Sequence, residues 1–299
     1  MVGSAVARAA KSADHQVMGK SSDQLDFTDR SATFNEIAAA SPDVLIIAAA
    51  KVGGIGANFK FPVDFLSINL QIQTNLIDAA HFNNVKKVIF LGSSCIYPKF
   101  AEQPILETSL LSSPLEETNE PYAIAKIAGL KLIDAYRRQY GREWISLMPT
   151  NLYGENDNFD LAQSHVLPAL MNKIHAAKTA GAKEVSIWGD GTPLREFLHV
   201  NDLADAIMFM SSRESDESLY NVGSGEEITI LELAELIGEV IGFEGVFKFD
   251  INQPNGTPRK LLDSSKMNAM GWKADIRLRE GLIKTYDWYL AQLEERPRK

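Results

Sequence analysis

The chain has 299 residues, 45% of them hydrophobic and 23% charged, with a formal net charge of −9 and a single cysteine. That composition is globular, is long enough for one large or two closely merged domains, and contains no apolar run of membrane-spanning length. The negative balance disfavours nucleic acid as a partner, and one cysteine excludes both an internal disulfide and a cysteine-based zinc cluster, so no metal is expected.

Met1-Val-Gly-Ser-Ala5 opens directly with helix-like sequence. It lacks the charged segment and apolar stretch of a signal peptide, and a cytoplasmic protein is expected. A dinucleotide-binding fold places a strand and a Gly-rich turn before such a helix. Gly3 fits the last glycine of that turn, packing the helix against the strand. The expectation is therefore a natural start about 13 residues upstream, and an unstable chain with weak dinucleotide binding when that strand is missing.

Val44-Leu-Ile-Ile-Ala-Ala-Ala50, Lys87-Val-Ile-Phe-Leu91 and Trp144-Ile-Ser-Leu-Met148 are apolar without alternation. Such strands have both faces covered, as in a parallel sheet. Residues 65–82 and 122–140 between them carry apolar residues at helical spacing. Strand alternating with helix predicts a doubly wound parallel α/β layer. Beyond Tyr153 the pattern loosens. Residues 156–160 read as loop, 164–178 as helix, 185–188 as a short strand closed by Gly189-Asp-Gly191, and 201–210 as helix. Thr229 and Glu232 have the spacing of a capping box, which predicts a helix to about Ile241. Gly256-Thr-Pro-Arg-Lys260 reads as a turn carrying two cations, and 278–293 as a closing amphipathic helix. The expected division is a dinucleotide-binding domain of residues 1–152 and 196–222, with a smaller α/β substrate domain of 153–195 and 223–299.

Tyr122-Ala-Ile-Ala-Lys126 puts a phenol and an ammonium on one helix face. A neighbouring cation favours the phenolate, so the Tyr122 pKa is expected below its ordinary value of about 10. Ser93 follows the strand at 87–91, at the carboxyl edge where open α/β sheets bind ligands. Two residues on is Cys95, in Gly92-Ser-Ser-Cys-Ile-Tyr-Pro98. A lone cysteine is ordinarily a small hydrophobe, and a serine at a strand end is ordinary turn chemistry. Ser93 combined with Tyr122 and Lys126 is more specific than any one of them.

Those three residues resemble the catalytic set of the extended short-chain dehydrogenase/reductases, whose fold is Rossmann-type. Further stretches narrow the resemblance to the GDP-sugar epimerase–reductases of that family. They are Ala48-Ala-Ala-Lys-Val-Gly-Gly-Ile55, the Ser-Ser-Cys stretch, Asn119-Glu-Pro-Tyr122, Pro149-Thr-Asn-Leu-Tyr-Gly154, Ser164-His165 and Arg195-Glu-Phe-Leu-His-Val200. The resemblance implies 3,5-epimerisation and 4-reduction of GDP-4-dehydro-6-deoxy-D-mannose, with Cys95 as base and His165 as acid. It implies that Tyr122 protonates the nascent alkoxide, Ser93 hydrogen-bonds it, and Lys126 holds the nicotinamide ribose. NADP(H) is the implied cofactor, met by Leu91, Gly92, Ser94, Lys126, Pro149, Thr150, Asn151, Leu152 and His165. Lys20, Ser21 and Ser22 suit a 2′-phosphate, although Asp23 follows closely, and Asp26 and Phe27 are expected near the adenine. For the GDP-sugar the resemblance points to Asn151, Lys173, Trp188, Arg195 and Lys260. A homodimer through the two long helices is the implied assembly. His15, His81, His175 and His199 are expected to be structural. Another nucleotide-sugar enzyme of this fold and a non-catalytic nucleotide-binding relative stay open. A dehydratase is disfavoured, because such enzymes carry an acidic pair where this chain has Ser94-Cys95.

Overall fold

The computed structural model describes residues 1–161, 164–253 and 255–295. The chain begins with helix α1 (Val2–Ser12), crosses a loop to α2 (Arg30–Ala40), and enters strand β1 (Val44–Ile47). Helices α3 (Ile55–Lys60) and α4 (Pro62–Phe82) lead to β2 (Lys87–Leu91). A single 3-10 turn over Ser94–Ile96 and a loop precede α5 (Glu120–Tyr140), followed by β3 (Ile145–Pro149) and β4 (Asn151–Tyr153). Then come α6 (Val166–Thr179), β5 (Glu184–Trp188), β6 (Leu194–His199) and α7 (Val200–Ser211). The chain continues through β7 (Leu219–Val222), β8 (Glu227–Thr229), α8 (Ile230–Ile241) and β9 (Val246–Asp250). It closes with β10 (Arg259–Lys260), α9 (Ser265–Ala269) and α10 (Leu278–Glu295).

Strands β1, β2, β3 and β7 form one parallel sheet in that order. Every residue of β2 and β3 is buried, which is why neither strand alternates in sequence. One apolar cluster, including Ile77, Phe90, Leu130 and Trp144, covers the face under α4 and α5. A second, including Ile89, Leu147, Leu203 and Ile207, covers the face under α1 and α7. Helix α5 approaches β2 closely at Gly129, where a Cβ would run into the Phe90 ring and the Gln73 side chain. A third cluster joins α6, β5, α8 and α10 through Met171, Ile187, Leu233 and Leu282. Between these bodies lies a small sheet in which β6 pairs with β4 and β10 in parallel and with β8 antiparallel. The capping box is formed: the Thr229 hydroxyl accepts from the Glu232 N–H (3.1 Å), and the Glu232 carboxylate accepts from the Thr229 N–H (3.0 Å).

Lys20 stands on the loop that precedes α2, and Gly3 is exposed in the first turn of α1. One expectation is corrected. Arg259 and Lys260 do not lie in a turn: they pair with Leu194 and Arg195 as β10. Both side chains are half-buried there, Arg259 paired with Glu227 (2.8 Å).

Wholly buried His199 caps α7, its Nδ1 accepting from the Asn201 N–H (3.2 Å). Burial, with the Lys284 and Arg8 cations near it, pulls its pKa down to about 4. The folded ring thus stays neutral to about pH 4, whereas in the unfolded chain it takes a proton near 6.5. Between those values the unfolded state binds the extra proton, so this group removes stability as pH falls. The melting temperature is expected to drop less steeply between pH 6.5 and 4.5 in His199→Gln than in the wild type. Parallel curves would exclude this ring as the source.

Candidate active site

The site is built at the carboxyl edge of the parallel sheet. Strand β2 ends at Leu91, and the Gly92 N–H donates to the Leu147 carbonyl of β3 (2.9 Å). The side chain of Met148 fills the space a Cβ on Gly92 would need. Helix α5 brings Tyr122 and Lys126 to this edge. Lys126 is buried, and its Nζ donates to the Leu91 carbonyl (2.9 Å). The same ammonium lies 5.0 Å from the Phe90 ring centroid and 5.9 Å from that of Tyr122. Phe65 of α4 packs edge-on against Tyr122 at 6.4 Å between centroids. The Tyr122 hydroxyl lies near Ser93, close enough to interact with it. Ser93 in turn caps the 3-10 turn, its Oγ accepting from the Cys95 N–H (3.3 Å). Strand end, turn and helix together gather Ser93, Cys95, Tyr122 and Lys126.

Electrostatics separates these groups. Burial pulls the Lys126 ammonium down to about 8. Burial also raises the Tyr122 phenol well above its ordinary value, helped by nearby Cys95 and only partly opposed by Ser93. The expected lowering by Lys126 is therefore corrected. The ammonium faces a carbonyl and the ring rather than the hydroxyl, and desolvation of the phenolate outweighs it. Tyr122 is accordingly held as a protonated phenol.

The cations on β6 and β10 face the thiol. Register places Lys260 beside Arg195, and Lys260 Nζ is 3.9 Å from Cys95 Sγ. Arg195 is close enough to Cys95 for their charges to interact, and its NH1 donates to the Leu194 carbonyl (2.8 Å). His165 caps α6 on the same side. His165 is exposed, yet desolvation by surrounding protein, and then Lys260, pull its pKa below the ordinary imidazole value. Lys173 of α6 holds its Nζ 5.4 Å from the Trp188 ring centroid, and that ring is exposed at the end of β5.

The remaining expected residues fall in two places. Pro149, Thr150, Asn151 and Leu152 run from the end of β3 into β4, with the Thr150 hydroxyl and the Asn151 amide both donating to the Glu196 carbonyl (3.2 and 2.8 Å). Buried Ser94 lies in the 3-10 turn. Lys20, Ser21, Ser22, Asp26 and Phe27 lie apart from these, on the loop between α1 and α2. There Lys20 is 3.8 Å from Glu36, the Asp26 carboxylate accepts from the Thr28 N–H (2.9 Å), and the Phe27 carbonyl accepts from the Asn75 amide (3.0 Å). Two buried polar residues of the site's frame, Glu196 and Asn221, were passed over in sequence reasoning. A carboxylate or amide set among strand-length apolar residues is the signal that marks them.

Residues 1–223 match the NAD dependent epimerase/dehydratase family. The chain belongs to that family. It is 56% identical to GDP-L-fucose synthase 1 of Arabidopsis thaliana, over 97% of this chain and 90% of the relative. It is 48% identical to GDP-L-fucose synthase of Escherichia coli (strain K12), over 97% and 94%. Among solved structures, a GDP-L-fucose synthetase from Naegleria fowleri bound to NADP superposes with a TM-score of 0.91 at 28% identity, covering 99% of this chain and 92% of that one.

In this epimerase/dehydratase-family site, Lys260 Nζ lies 3.9 Å from the Cys95 thiol. A partly exposed charge pair is worth about 1 kcal/mol, or roughly fivefold. Iodoacetamide alkylation of Cys95 at neutral pH is therefore expected to slow roughly fivefold in Lys260→Met. An unchanged rate would show that Lys260 does not favour the thiolate.

Proposed function

We propose that this chain converts GDP-4-dehydro-6-deoxy-D-mannose to GDP-L-fucose, epimerising C3 and C5 and reducing C4 with NADPH. The observation that carries this reading is the meeting of Ser93, Tyr122 and Lys126 with a cation-flanked Cys95 at one strand edge. The 56% and 48% identities to GDP-L-fucose synthases support it.

The donor set suits NADPH. Lys126 has three N–H donors and gives one to Leu91, which leaves two for the nicotinamide ribose hydroxyls. Exposed Lys20, Ser21 and Ser22 offer a cation and two hydroxyls to a 2′-phosphate, with Asp26 and Phe27 beyond them. Leu91, Gly92, Ser94, His165 and residues 149–152 line the strand edge between. When bound, NADPH supplies the hydride that reduces C4.

The C4 ketone acidifies the protons on C3 and C5. Cys95 Sγ removes one, and His165 returns one to the opposite face. The proton gained by sulfur and the one lost by the imidazole are then exchanged with solvent before the second centre inverts. A ring whose pKa is lowered by burial and Lys260 gives up its proton readily. During reduction Tyr122 Oη gives its proton to O4, and Ser93 steadies the same oxygen. Holding Tyr122 as a phenol keeps it in the acid form this direction needs. Arg195 and Lys260 are assigned to the diphosphate, Trp188 and Lys173 to the nucleotide beyond it, and Asn151 to the junction of cofactor and sugar.

Residues 1–152 and 196–222 are assigned to the cofactor, and 153–195 and 223–299 to the sugar nucleotide. The third apolar cluster, drawn mostly from the latter segments, supports the division. A homodimer through α4 and α5 is part of this proposal: Val63 and Phe82 of α4 and Ile124 and Tyr140 of α5 are exposed apolar residues on paired helices. So is a cytoplasmic location, because a half-exposed thiol with two neighbouring cations is readily oxidised elsewhere.

Incubation with NADPH and the keto-sugar is expected to yield GDP-L-fucose. A reduced product with unchanged C3 and C5 would overturn the reading. Cys95→Ser is expected to abolish exchange of the C3 and C5 protons with solvent deuterium, while reduction of an already epimerised ketone persists. Tyr122→Phe is expected to spare exchange and slow reduction roughly 10²–10⁴-fold.

A further inference from the structure

Tyr97 takes no part in the chemistry above, yet it is more firmly held than Cys95. It leaves the 3-10 turn that carries the thiol, and it is buried. Its hydroxyl donates to Asn221 Oδ1 (2.6 Å), at a residue with no exposed surface near the end of β7. Burial, and then nearby Glu107, raise the Tyr97 pKa, which keeps the hydroxyl a donor. Asn221 uses its remaining groups across the chain. Its Nδ2 donates to the carbonyls of Ile105 (2.8 Å) and Asp263 (3.1 Å), and its backbone N–H donates to Glu107 Oε1 (2.9 Å). The Ile105 N–H donates to the Leu261 carbonyl (2.8 Å), and the Asp263 N–H donates to the Ile105 carbonyl (2.9 Å). One amide side chain therefore ties the Cys95 turn to the segment that follows Lys260.

The reduction set meets this network only at Ser93, whose Oγ caps the turn. Ser93 follows β2, which is fixed by its ladder with β3. Lys126 and Tyr122 ride on α5, and Lys126 is fixed to Leu91. Only the distance between Cys95 and Lys260 depends on both tied segments.

We propose that Tyr97 and Asn221 are positioning residues for epimerisation, their buried hydrogen bond setting the Cys95 turn against the strand that carries Lys260. The proposal rests on the assignment of Cys95 as the group that removes the C3 and C5 protons.

The test compares Tyr97→Phe and Asn221→Ser with the wild type, both as solvent-deuterium exchange at C3 and C5 and as NADPH-dependent reduction of the epimerised ketone. A displacement of about 1 Å costs up to about 100-fold in rate. In Tyr97→Phe the exchange rate constant is expected to fall about 10- to 100-fold at little-changed KM, with reduction within about twofold of the wild type. Glu107→Gln, which keeps an oxygen for the Asn221 N–H, is expected to retain the wild-type ratio of the two rates. Loss of both activities in proportion, no loss of either, or failure of both Tyr97→Phe and Asn221→Ser to fold would overturn the positioning role. Absence of exchange in the wild type itself would instead overturn the proposed function, and this inference with it.

Discussion

The arrangement depends on a buried carboxylate that has no salt bridge among the described residues. Glu196 has no exposed surface. Its oxygens accept from the N–H groups of Gly225 (2.8 Å) and Leu262 (3.0 Å), and Gly223 leaves no room for a Cβ beside it. Its own carbonyl accepts from Thr150 and Asn151. A single residue of β6 thereby joins the end of the parallel sheet, the loop between β7 and β8, and the segment after β10. A buried carboxylate is costly unless its lone pairs are satisfied, and backbone donors that are themselves fixed satisfy them with little reorganisation. Burial still raises its pKa, so the hydrogen bonds offset only part of the desolvation. Its neighbour Arg195, on the opposite face of the strand, lies near Cys95.

That frame separates two kinds of support. The groups assigned to reduction sit on a strand end and a long helix, where each backbone position is set by ladder and helix hydrogen bonds. The groups assigned to epimerisation sit on a short turn, a helix cap and a two-residue strand. Those elements contribute few hydrogen bonds of their own, so side-chain networks take over the task of placing them. Asn221 ties the turn, and Glu196 with Gln103 ties the strand: the Gln103 carbonyl oxygen accepts from the Leu261 N–H (2.8 Å). Asn221 and Glu196, both buried, thus serve the two shortest elements of the site.

How much of this was legible in the sequence follows from the range of the forces involved. Strands β2 and β3, helices α4 and α5 and the Thr229 capping box were readable because their signals are local: unbroken apolar runs, a helical period, and a cap three residues from its partner. Ser93 and Lys126 could be placed at one edge because both follow or flank such elements. Strand β10 was not readable. Two residues carry no period, and Arg259 and Lys260 are strand only because β6 lies alongside. The sign of the Tyr122 shift was missed because spacing reveals that Lys126 is near but not that both groups are buried.

The same electrostatics explains how one cleft can hold groups in opposite protonation states. Tyr122 and Lys126 lie where burial dominates, and burial favours the neutral form of each: a protonated phenol and a weakened ammonium. Cys95 and His165 lie on the other side, where Lys260 and Arg195 add positive potential. That potential disfavours the imidazolium of His165. A diphosphate brought to the same cations reduces that potential and makes protonation of His165 easier when the sugar is in place. The cations assigned to the diphosphate are thus also those that lie beside Cys95, and one of them, Lys260, also lowers the pKa of His165.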